Sequence, residues 1–391
     1  MNRVFQYRLC PTAKQSDNLR LMLEDHRSLY NAALQERRDA YNHPSKTSIG
    51  YAKQCLQLKD IRNNDPDQKR WSANSQQQTL RRLDKAFQAF FDRIKNGKTP
   101  GYPRFRSKYR FDTVTFNNGD GGKLEHKNPQ PKVYVKGVGH IKIKLHRQIR
   151  GTVKQFSVTR QGKHWYINVI CADVPKQIRP LTGAIVGIDR GVTNLLADSD
   201  QKLYENPRYG KQSEDRLAEL QQSVSRKKRG SNNRRKAARK VAELYRHIRN
   251  QRSNRLHEIS RELVNEYDLI VLEQLPIGNM TKRPKPKPDP KVPGEYLPNG
   301  AAAKAGLNKA ILDSGWGVFH NLIGYKAEEA GIEVMTVNPR NTSRMCYQCK
   351  FVAEGNRDGE VFECLKCGHK DHADINAAKN ILRLGLSLRP A

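Results

Sequence analysis

The chain has 391 residues, 36% of them apolar and 28% charged, and its 72 lysines and arginines against 39 acids leave a formal charge of +33. That length suits two to four domains with at least one sizeable core. No run approaches the ~18 consecutive apolar residues of a spanning helix, and Met1-Asn2-Arg3-Val4 opens without the apolar stretch of a secretory leader, so a cytoplasmic protein is expected. Self-repulsion at +33 costs stability unless a polyanion offsets it. With no basic amphipathic helix or lipidation signal, a membrane surface fits less well than nucleic acid, whose binding weakens steeply with salt.

In chain order, residues 3–9 (Arg-Val-Phe-Gln-Tyr-Arg-Leu) alternate apolar and polar, the mark of a half-buried strand, and Pro11 ends it. From about residue 14 to residue 94 the spacing turns helical. Leu19, Leu23, Leu29, Tyr30 and Leu34 recur at that period, as do Leu80, Leu83, Phe87, Phe90 and Phe91. A helical bundle accounts for them without a cofactor pocket. It ends in the breaker-rich loop Gly97-Lys98-Thr99-Pro100-Gly101-Tyr102-Pro103. Gly97-Lys98-Thr99 is similar to the tail of a phosphate-binding loop, but Asp92 stands where the first glycine belongs and no strand precedes it; that reading is rejected. Strand patterns return over 111–174, at 133–135, 141–145, 156–159 and 165–170. Short strands with Gly or Lys turns suggest a small barrel or sandwich interrupted by the helices. Residues 175–181 read as a linker.

Residues 184–189 form an apolar strand, Gly191 a turn and 195–197 a second strand. A helical stretch follows over about 213–267, carried by Leu217, Leu220, Val241, Leu244, Tyr245, Ile248, Leu256, Ile259 and Leu263. Arg226-Lys227-Lys228-Arg229-Gly230-Ser231 splits it into a hairpin, and Arg234-Arg235-Lys236 and Arg239-Lys240 follow. Charge runs are usually solvated surface. The density of cations and near absence of acids favour a phosphate-facing hairpin here. Residues 268–272 read as a buried strand ending at Glu273, 276–306 as a mobile Pro/Lys-rich loop, 311–330 as a helix, 332–337 as a strand and 374–386 as an amphipathic helix.

Of seven cysteines, Cys10, Cys55 and Cys171 stand alone, while the others form Cys346-x2-Cys349-x14-Cys364-x2-Cys367. Two C-x-x-C pairs can set four thiolates tetrahedrally around one Zn²⁺ with no position left for water, which makes a structural site. His369 and His372 follow closely enough to substitute as ligands, with surface histidines as the alternative. A redox pair suits two matched knuckles less well, and the overall pattern suits a reducing compartment.

Three acids each mark the end of an expected element: Asp189 and Glu273 close strands, and Asp374 opens the final helix. One such acid alone is commonly a cap. In the order strand–strand–helix–strand–helix–strand–helix, a ribonuclease-H-type sheet brings three to one edge, where their repulsion calls for Mg²⁺ or Mn²⁺. Two such ions could activate water and stabilise the leaving oxygen in phosphodiester hydrolysis, and the helix N-terminus would help keep Asp374 ionised.

Gly187-Ile188-Asp189-Arg190-Gly191, Val271-Leu272-Glu273-Gln274-Leu275 and Asp374-Ile375-Asn376-Ala377-Ala378-Lys379-Asn380-Ile381 resemble the three RuvC motifs of TnpB proteins, transposon-encoded RNA-guided DNA endonucleases related to the type V CRISPR effectors. Arg8-Leu9 with Pro11-Thr12, Gly101-Tyr102-Pro103-Arg104-Phe105-Arg106, Gly315-Trp316-Gly317 and Asn338-Pro339 before Thr342-Ser343 extend the likeness over nearly the whole chain. The cysteine pairs sit between the second and third acid, as in that family.

The resemblance implies a multidomain α+β fold. A wedge-like β-barrel (1–12 and 108–180) would carry an inserted helical recognition bundle (13–107). A ribonuclease-H-like RuvC α/β domain (181–343 and 371–391) would follow, with a zinc ribbon insert (344–370). It further implies that Asp189 bridges two Mg²⁺ or Mn²⁺ ions while Glu273 and Asp374 each complete one shell. A guide RNA copied from the transposon's right end would pair with double-stranded target DNA, a monomeric protein reading only a short flanking motif. Arg226, Lys227, Lys228, Arg229, Arg234, Arg235 and Lys236 are expected on the nucleic-acid backbone. By resemblance, Tyr51, Gln77 and Asn117 are candidates for reading the flanking duplex; Gln pairs bidentately with adenine, and each is alternatively an ordinary surface residue.

Two other classes stay open. A guided DNA-binding repressor that has lost catalysis typically lacks one or more acids, and all three are present. A DNA transposase could share the fold, since fold does not fix function, but no His-hydrophobic-His pair with a catalytic tyrosine supports the single-strand route.

Overall fold

The computed structural model describes residues 1–292 and 294–389. Pro293, inside the expected loop 276–306, and Pro390 and Ala391, the end of the expected segment 371–391, lie outside the described residues. The chain divides into two units, Met1–Pro175 and Lys176–Ala391, parting at the start of the expected linker.

In the first unit, β1 (Arg3–Cys10) turns Phe5, Tyr7 and Leu9 inward and its other side chains outward. A capping box starts α1 (Ala13–Asn42): the Thr12 hydroxyl accepts from the Gln15 N–H, and the Gln15 side chain accepts from the Thr12 N–H. Then come α2 (Tyr51–Asn64), the single turn α3 (Pro66–Lys69) and α4 (Ala73–Lys95). The strands β2 (Thr113–Asn117), β3 (Gly122–Glu125), β4 (Lys132–Val135), β5 (Gly139–Lys144), β6 (Thr152–Gln161) and β7 (His164–Ala172) join β1 in an antiparallel sheet ordered β2-β6-β7-β1-β5-β4-β3. Its two edges, β2 and β3, are consecutive in the chain, and the Gly119 N–H donates to the Gly122 carbonyl across the turn between them (2.8 Å). The sheet therefore curls to near closure. One core joins its inward residues (Phe5, Phe116, Phe156, Ile167) to Leu19 and Tyr30 of α1 and Leu83 of α4.

The second unit is built on a five-stranded sheet. β8 (Ile185–Arg190), β9 (Asn194–Asp198) and β10 (Leu203–Glu205) form an antiparallel meander. The short α5 (Tyr209–Gln212) leads into a hairpin of α6 (Glu214–Ser225) and α7 (Asn232–Glu266), split where the basic run predicts. β11 (Leu269–Glu273) then returns parallel to β8. Its five residues Leu-Ile-Val-Leu-Glu are all buried, as a strand covered on both faces requires.

Residues 276–306 contain more structure than their composition suggests. α8 (Ile277–Met280) is followed by a small hairpin of β12 (Lys287–Pro288) and β13 (Tyr296–Leu297), and α9 (Ala301–Ser314) already begins at Ala301. Side chains of α9 hold the segment: Lys304 Nζ donates to the Met280 carbonyl (2.6 Å) and Asn308 Nδ2 to that of Thr281 (3.0 Å). The expected single helix over 311–330 is broken, with α10 (Trp316–Ala330) starting after Gly315 at φ +70°, a left-handed turn that glycine adopts freely. β14 (Glu333–Val337) completes the sheet parallel to β11, giving the order β10-β9-β8-β11-β14.

A cysteine-bearing insert follows, with a three-stranded sheet of β15 (Arg357–Asp358), β16 (Val361–Glu363) and β17 (Lys370–His372). Then α11 (Ala373–Ser387) packs on the main sheet. Leu256, Ile259 and Leu263 of α7 and Phe319 and Ile323 of α10 cover one face of that sheet, while Ile381 of α11 meets Leu269 and Val271 on the other. No helix among the described residues is long and apolar enough to cross a membrane.

Candidate active site and metal centre

Asp189 and Glu273 stand at the carboxyl ends of adjacent parallel strands, each one step beyond the pair Ile188–Leu272. Asp374 lies in the first turn of α11, which runs across β8. The close approach depends on two glycines. A Cβ on Gly187 would fall 2.3 Å from the Ala378 carbonyl oxygen, and one on Gly385 would fall 2.6 Å from Val271. Absent side chains at those points let α11 lie flat on the sheet and deliver Asp374 to the edge where the other acids stand.

Asp189 senses the other two carboxylates. Burial, then the charges of Glu273 and Asp374, push Asp189 up to about 8, and Arg357 only partly offsets them. Burial likewise raises Glu273, opposed by its bond from Thr342 and by the charge of Arg190. Protein groups hold two of the three: the Thr342 hydroxyl donates to Glu273 Oε1 (2.6 Å), Arg357 Nη2 donates to Asp374 Oδ1 (2.8 Å), and Asn194 Nδ2 reaches Asp374 Oδ2 (3.4 Å). The buried Arg190 guanidinium donates to the Glu273 main-chain carbonyl, tying the ends of β8 and β11 together. Trp316 Nε1 donates to the Gly191 carbonyl (3.0 Å) and so pins the turn behind Asp189. Hard carboxylate oxygens at one sheet edge, where burial and neighbouring negative charge raise Asp189, are a donor set whose repulsion a divalent cation would relieve. The acids are nonetheless not gathered as tightly as the thiols: among the described residues the four cysteines are the one group of three or more His, Cys, Asp or Glu whose ligand atoms already stand close enough to share an ion, and the acids would have to draw inward around one.

That cysteine group fits zinc closely. The sulfurs of Cys346, Cys349, Cys364 and Cys367 all lie within 4.8 Å of one another, with Cys346–Cys367 at 3.7 Å and Cys349–Cys364 at 3.5 Å. A tetrahedron with ~2.3 Å Zn–S bonds has edges of about 3.8 Å. Main-chain amides point at both buried thiols: at Cys346 burial outweighs those of Gln348 and Cys349 and holds the thiol up, whereas at Cys364 those of Lys366 and Cys367, with neighbouring thiols, overcome burial and bring it down to about 6. Asn356 sits buried between the knuckles; its amide donates to the carbonyls of Arg344 and Phe351 and accepts from the Leu365 N–H. Neither nearby histidine joins the set. His372 Nδ1 accepts the Asp374 N–H as the cap of α11, and His369 lies 3.7 Å from the Asp371 carboxylate.

The insert is bolted to the acid-bearing helix. Asn376 Oδ1 accepts from the Tyr347 N–H (3.0 Å), and its amide donates to the Met345 carbonyl (2.9 Å). Asn380 Nδ2 donates to the carbonyls of Thr342 (3.0 Å) and Met345 (2.6 Å). Thr342, Asn194, Arg190, Arg357, Asn376 and Asn380 carry these roles, and reading the sequence assigned none of them. The signal for the asparagines was their spacing of four, which places both on one helical face. Arg357, in a two-residue strand, gave no local signal.

The basic residues behave unequally. Arg226, Lys228, Arg229, Arg235 and Lys236 are exposed at the α6–α7 tip. Arg234 and Lys227 instead close the hairpin: Arg234 Nη1 donates to the carbonyls of Val224 (2.8 Å) and Lys227 (3.0 Å), and Lys227 Nζ donates to that of Ser223 (2.9 Å). In the first unit, α4 gathers the other three candidates. Gln77 lies on it half-buried, the Arg81 guanidinium stacks 5.1 Å from the Tyr51 ring, and Asn117 accepts from Gln155 (3.0 Å) while its N–H donates to Asn74 (3.0 Å).

Residues 169–284 match the OrfB/IS605 family, described as a probable transposase, and residues 316–381 match the Cas12f1-like TNB domain. InsQ of Escherichia coli (strain K12), named as an RNA-guided DNA endonuclease, is 31% identical over 387 residues, which cover 98% of this chain and 92% of InsQ. The chain belongs to the TnpB family. A second TnpB relative, from Streptomyces pristinaespiralis and likewise named as an RNA-guided DNA endonuclease, is 29% identical over 403 residues, 99% of this chain and 90% of its own. Among solved structures, the Cas12f1–sgRNA–target DNA complex aligns with a TM-score of 0.58 at 14% identity, over 97% of this chain and 98% of that one, a likeness of fold. Residues 1–46 also match a domain of the same family described as helix-turn-helix. In this TnpB chain that stretch is β1 followed by one unbroken helix.

Proposed function

We propose that the chain is an RNA-guided DNA endonuclease of a transposon, hydrolysing target DNA beside a short flanking motif at a divalent-metal site formed by Asp189, Glu273 and Asp374. The observation that carries this reading is the placement of Asp189 and Glu273 at the ends of neighbouring parallel strands with Asp374 in the first turn of the helix packed on β8; burial and the other two acids raise Asp189 accordingly. The order β10-β9-β8-β11-β14 is the one a ribonuclease-H-like RuvC sheet needs, and it supports the assignment of 181–343 and 371–391 to that domain with the ribbon 344–370 inserted. The nearly closed sheet supports a wedge-like barrel (1–12 and 108–180) carrying the recognition helices of 13–107.

Asp189, Glu273 and Asp374 would hold Mg²⁺ or Mn²⁺, which supplies an activated water and charge for the leaving oxygen. The chain's own residues orient that set. Thr342 fixes one oxygen of Glu273, Arg190 fixes the strand end beneath it, and Arg357 balances Asp374. The cysteines would hold a structural Zn²⁺. Target sequence is read by pairing with a guide RNA copied from the transposon's right end, and the protein reads only the flanking duplex through Tyr51, Gln77 and Asn117. The exposed hairpin cations neutralise backbone phosphate. In this reading the protein works as a cytoplasmic monomer.

The test is Mg²⁺-dependent cleavage of a matching duplex by the full chain purified with its RNA. Asp189→Ala abolishes cutting and leaves the yield and sequence of copurifying RNA unchanged. Cutting retained by that variant overturns the assignment.

A further inference from the structure

Between α4 and β2 the chain runs from residue 96 to residue 112 without regular structure, and this segment together with the last turn of α4 is unusually rich in two kinds of side chain. From Arg93 to Phe111 there is no acid. Seven cations fall in that window: Arg93, Lys95, Lys98, Arg104, Arg106, Lys108 and Arg110. Interleaved with them are aromatic rings that face solvent: Tyr102 (43% exposed), Phe105 (46%) and Tyr109 (76%).

The segment is nonetheless firmly seated. Pro103 is buried, and Tyr102 meets Phe87 and Phe90 edge-on with ring centroids 5.6 and 5.3 Å away. Asn31 of α1 grips Arg106 from both sides, accepting its N–H (2.8 Å) and donating to its carbonyl (3.0 Å), while the Arg106 guanidinium covers the Tyr30 ring at 5.8 Å. Residues 103 and 106 point inward, so Arg104, Phe105, Tyr109 and Arg110 are presented outward from a fixed backbone.

Exposed rings on a rigid support, alternating with cations, are the chemistry that stacks unpaired bases and tracks their phosphates. A duplex offers no free base faces to such a surface. We infer that residues 98–110 form a stacking strip for an unpaired stretch of the guide RNA, with Phe105 and Tyr109 as the base platforms and Lys98, Arg104 and Arg110 as the phosphate contacts. RNA is the occupant because a guide stays bound throughout the cycle, whereas an unpaired DNA strand exists only after a target opens. Several bare aromatic rings on a preformed surface call for a permanent cover. The inference rests on the RNA-guided reading above for the identity of the RNA, but its chemistry is testable without cleavage.

Full-length protein freed of its RNA is titrated with labelled oligouridylate, oligothymidylate and a duplex of matched length, comparing wild type with Phe105→Ala/Tyr109→Ala. At two stacked bases the double variant loses at least about tenfold in affinity for oligouridylate and less than about threefold for the duplex. Phe105→Tyr/Tyr109→Phe restores oligouridylate binding, which a mere loss of fold would not allow. Arg104→Gln/Arg110→Gln lowers the salt slope by about 0.7 per lost contact. Unchanged oligouridylate affinity, or an equal loss on the duplex, overturns the strip. A loss on oligothymidylate alone overturns the choice of RNA. Oligouridylate binding is read without metal or cleavage, so failure of the nuclease assignment and failure of the strip are separate results.

Discussion

At the scale of single residues, the site depends as much on missing atoms as on carboxylates. Gly187 sits two positions before Asp189, where a methyl group would meet backbone of α11 rather than a yielding side chain. Gly187→Ala must therefore lift the helix from the strand. The expected cost is about 1–3 kcal/mol of stability, read as a lower midpoint in urea, together with lost cleavage because Asp374 moves with its helix. A variant that keeps both its midpoint and its activity would show that α11 is not held as the structure has it. The three acids stood out in the sequence because each marks the boundary of a recognisable element, two at strand ends and one at a helix start. Their keepers were not, since Thr342, Asn194 and Arg357 reach them across 69, 180 and 17 residues, and such contacts leave no local pattern.

Among the elements, the cysteine insert and α11 act as one piece. Four sulfurs so close repel as thiolates without a cation, so removing the metal opens the knuckles, frees Asn356, and loosens the grip of Asn376 and Asn380 on residues 342–347. One zinc per chain is expected by atomic absorption. In Cys364→Ser it is lost, a protease then cuts within 344–370 while the five-stranded sheet stays protected, and cleavage of target falls. Full zinc content in that variant would exclude the four-cysteine site. The elements legible beforehand were those with strong periodicity: β1, the long helices, and the buried β8 and β11. The hairpin and α9 inside 276–306 were not, because the Pro/Lys composition speaks of solvation while Lys304 and Asn308 hold the segment by contacts within it. The left-handed break at Gly315 was also hidden, since the apolar spacing continues across it.

For the whole molecule, the charge of +33 sets how binding responds to salt. Neutralising Lys228, Arg229, Arg235 and Lys236 with Gln should weaken RNA binding for all sequences and reduce the slope of log affinity against log salt by about 0.7 per lost contact. Arg234→Gln should leave the slope alone and lower thermal stability, because that guanidinium is spent inside the hairpin. Equal slopes for all these variants would return the tip to plain solvated surface. The composition announced a polyanion partner, but only the folded hairpin separates cations facing solvent from those facing their own backbone. The five-stranded sheet is itself small, and the α6–α7 hairpin, the segment 276–306 and the cysteine insert all enter it between one strand or helix and the next. Lengthening or trimming the hairpin tip near Gly230 or the turn of the small hairpin leaves the spacing of the carboxylates untouched. Such a chain can thus grow or shrink at these joints while the arrangement of its three acids at the sheet edge is kept.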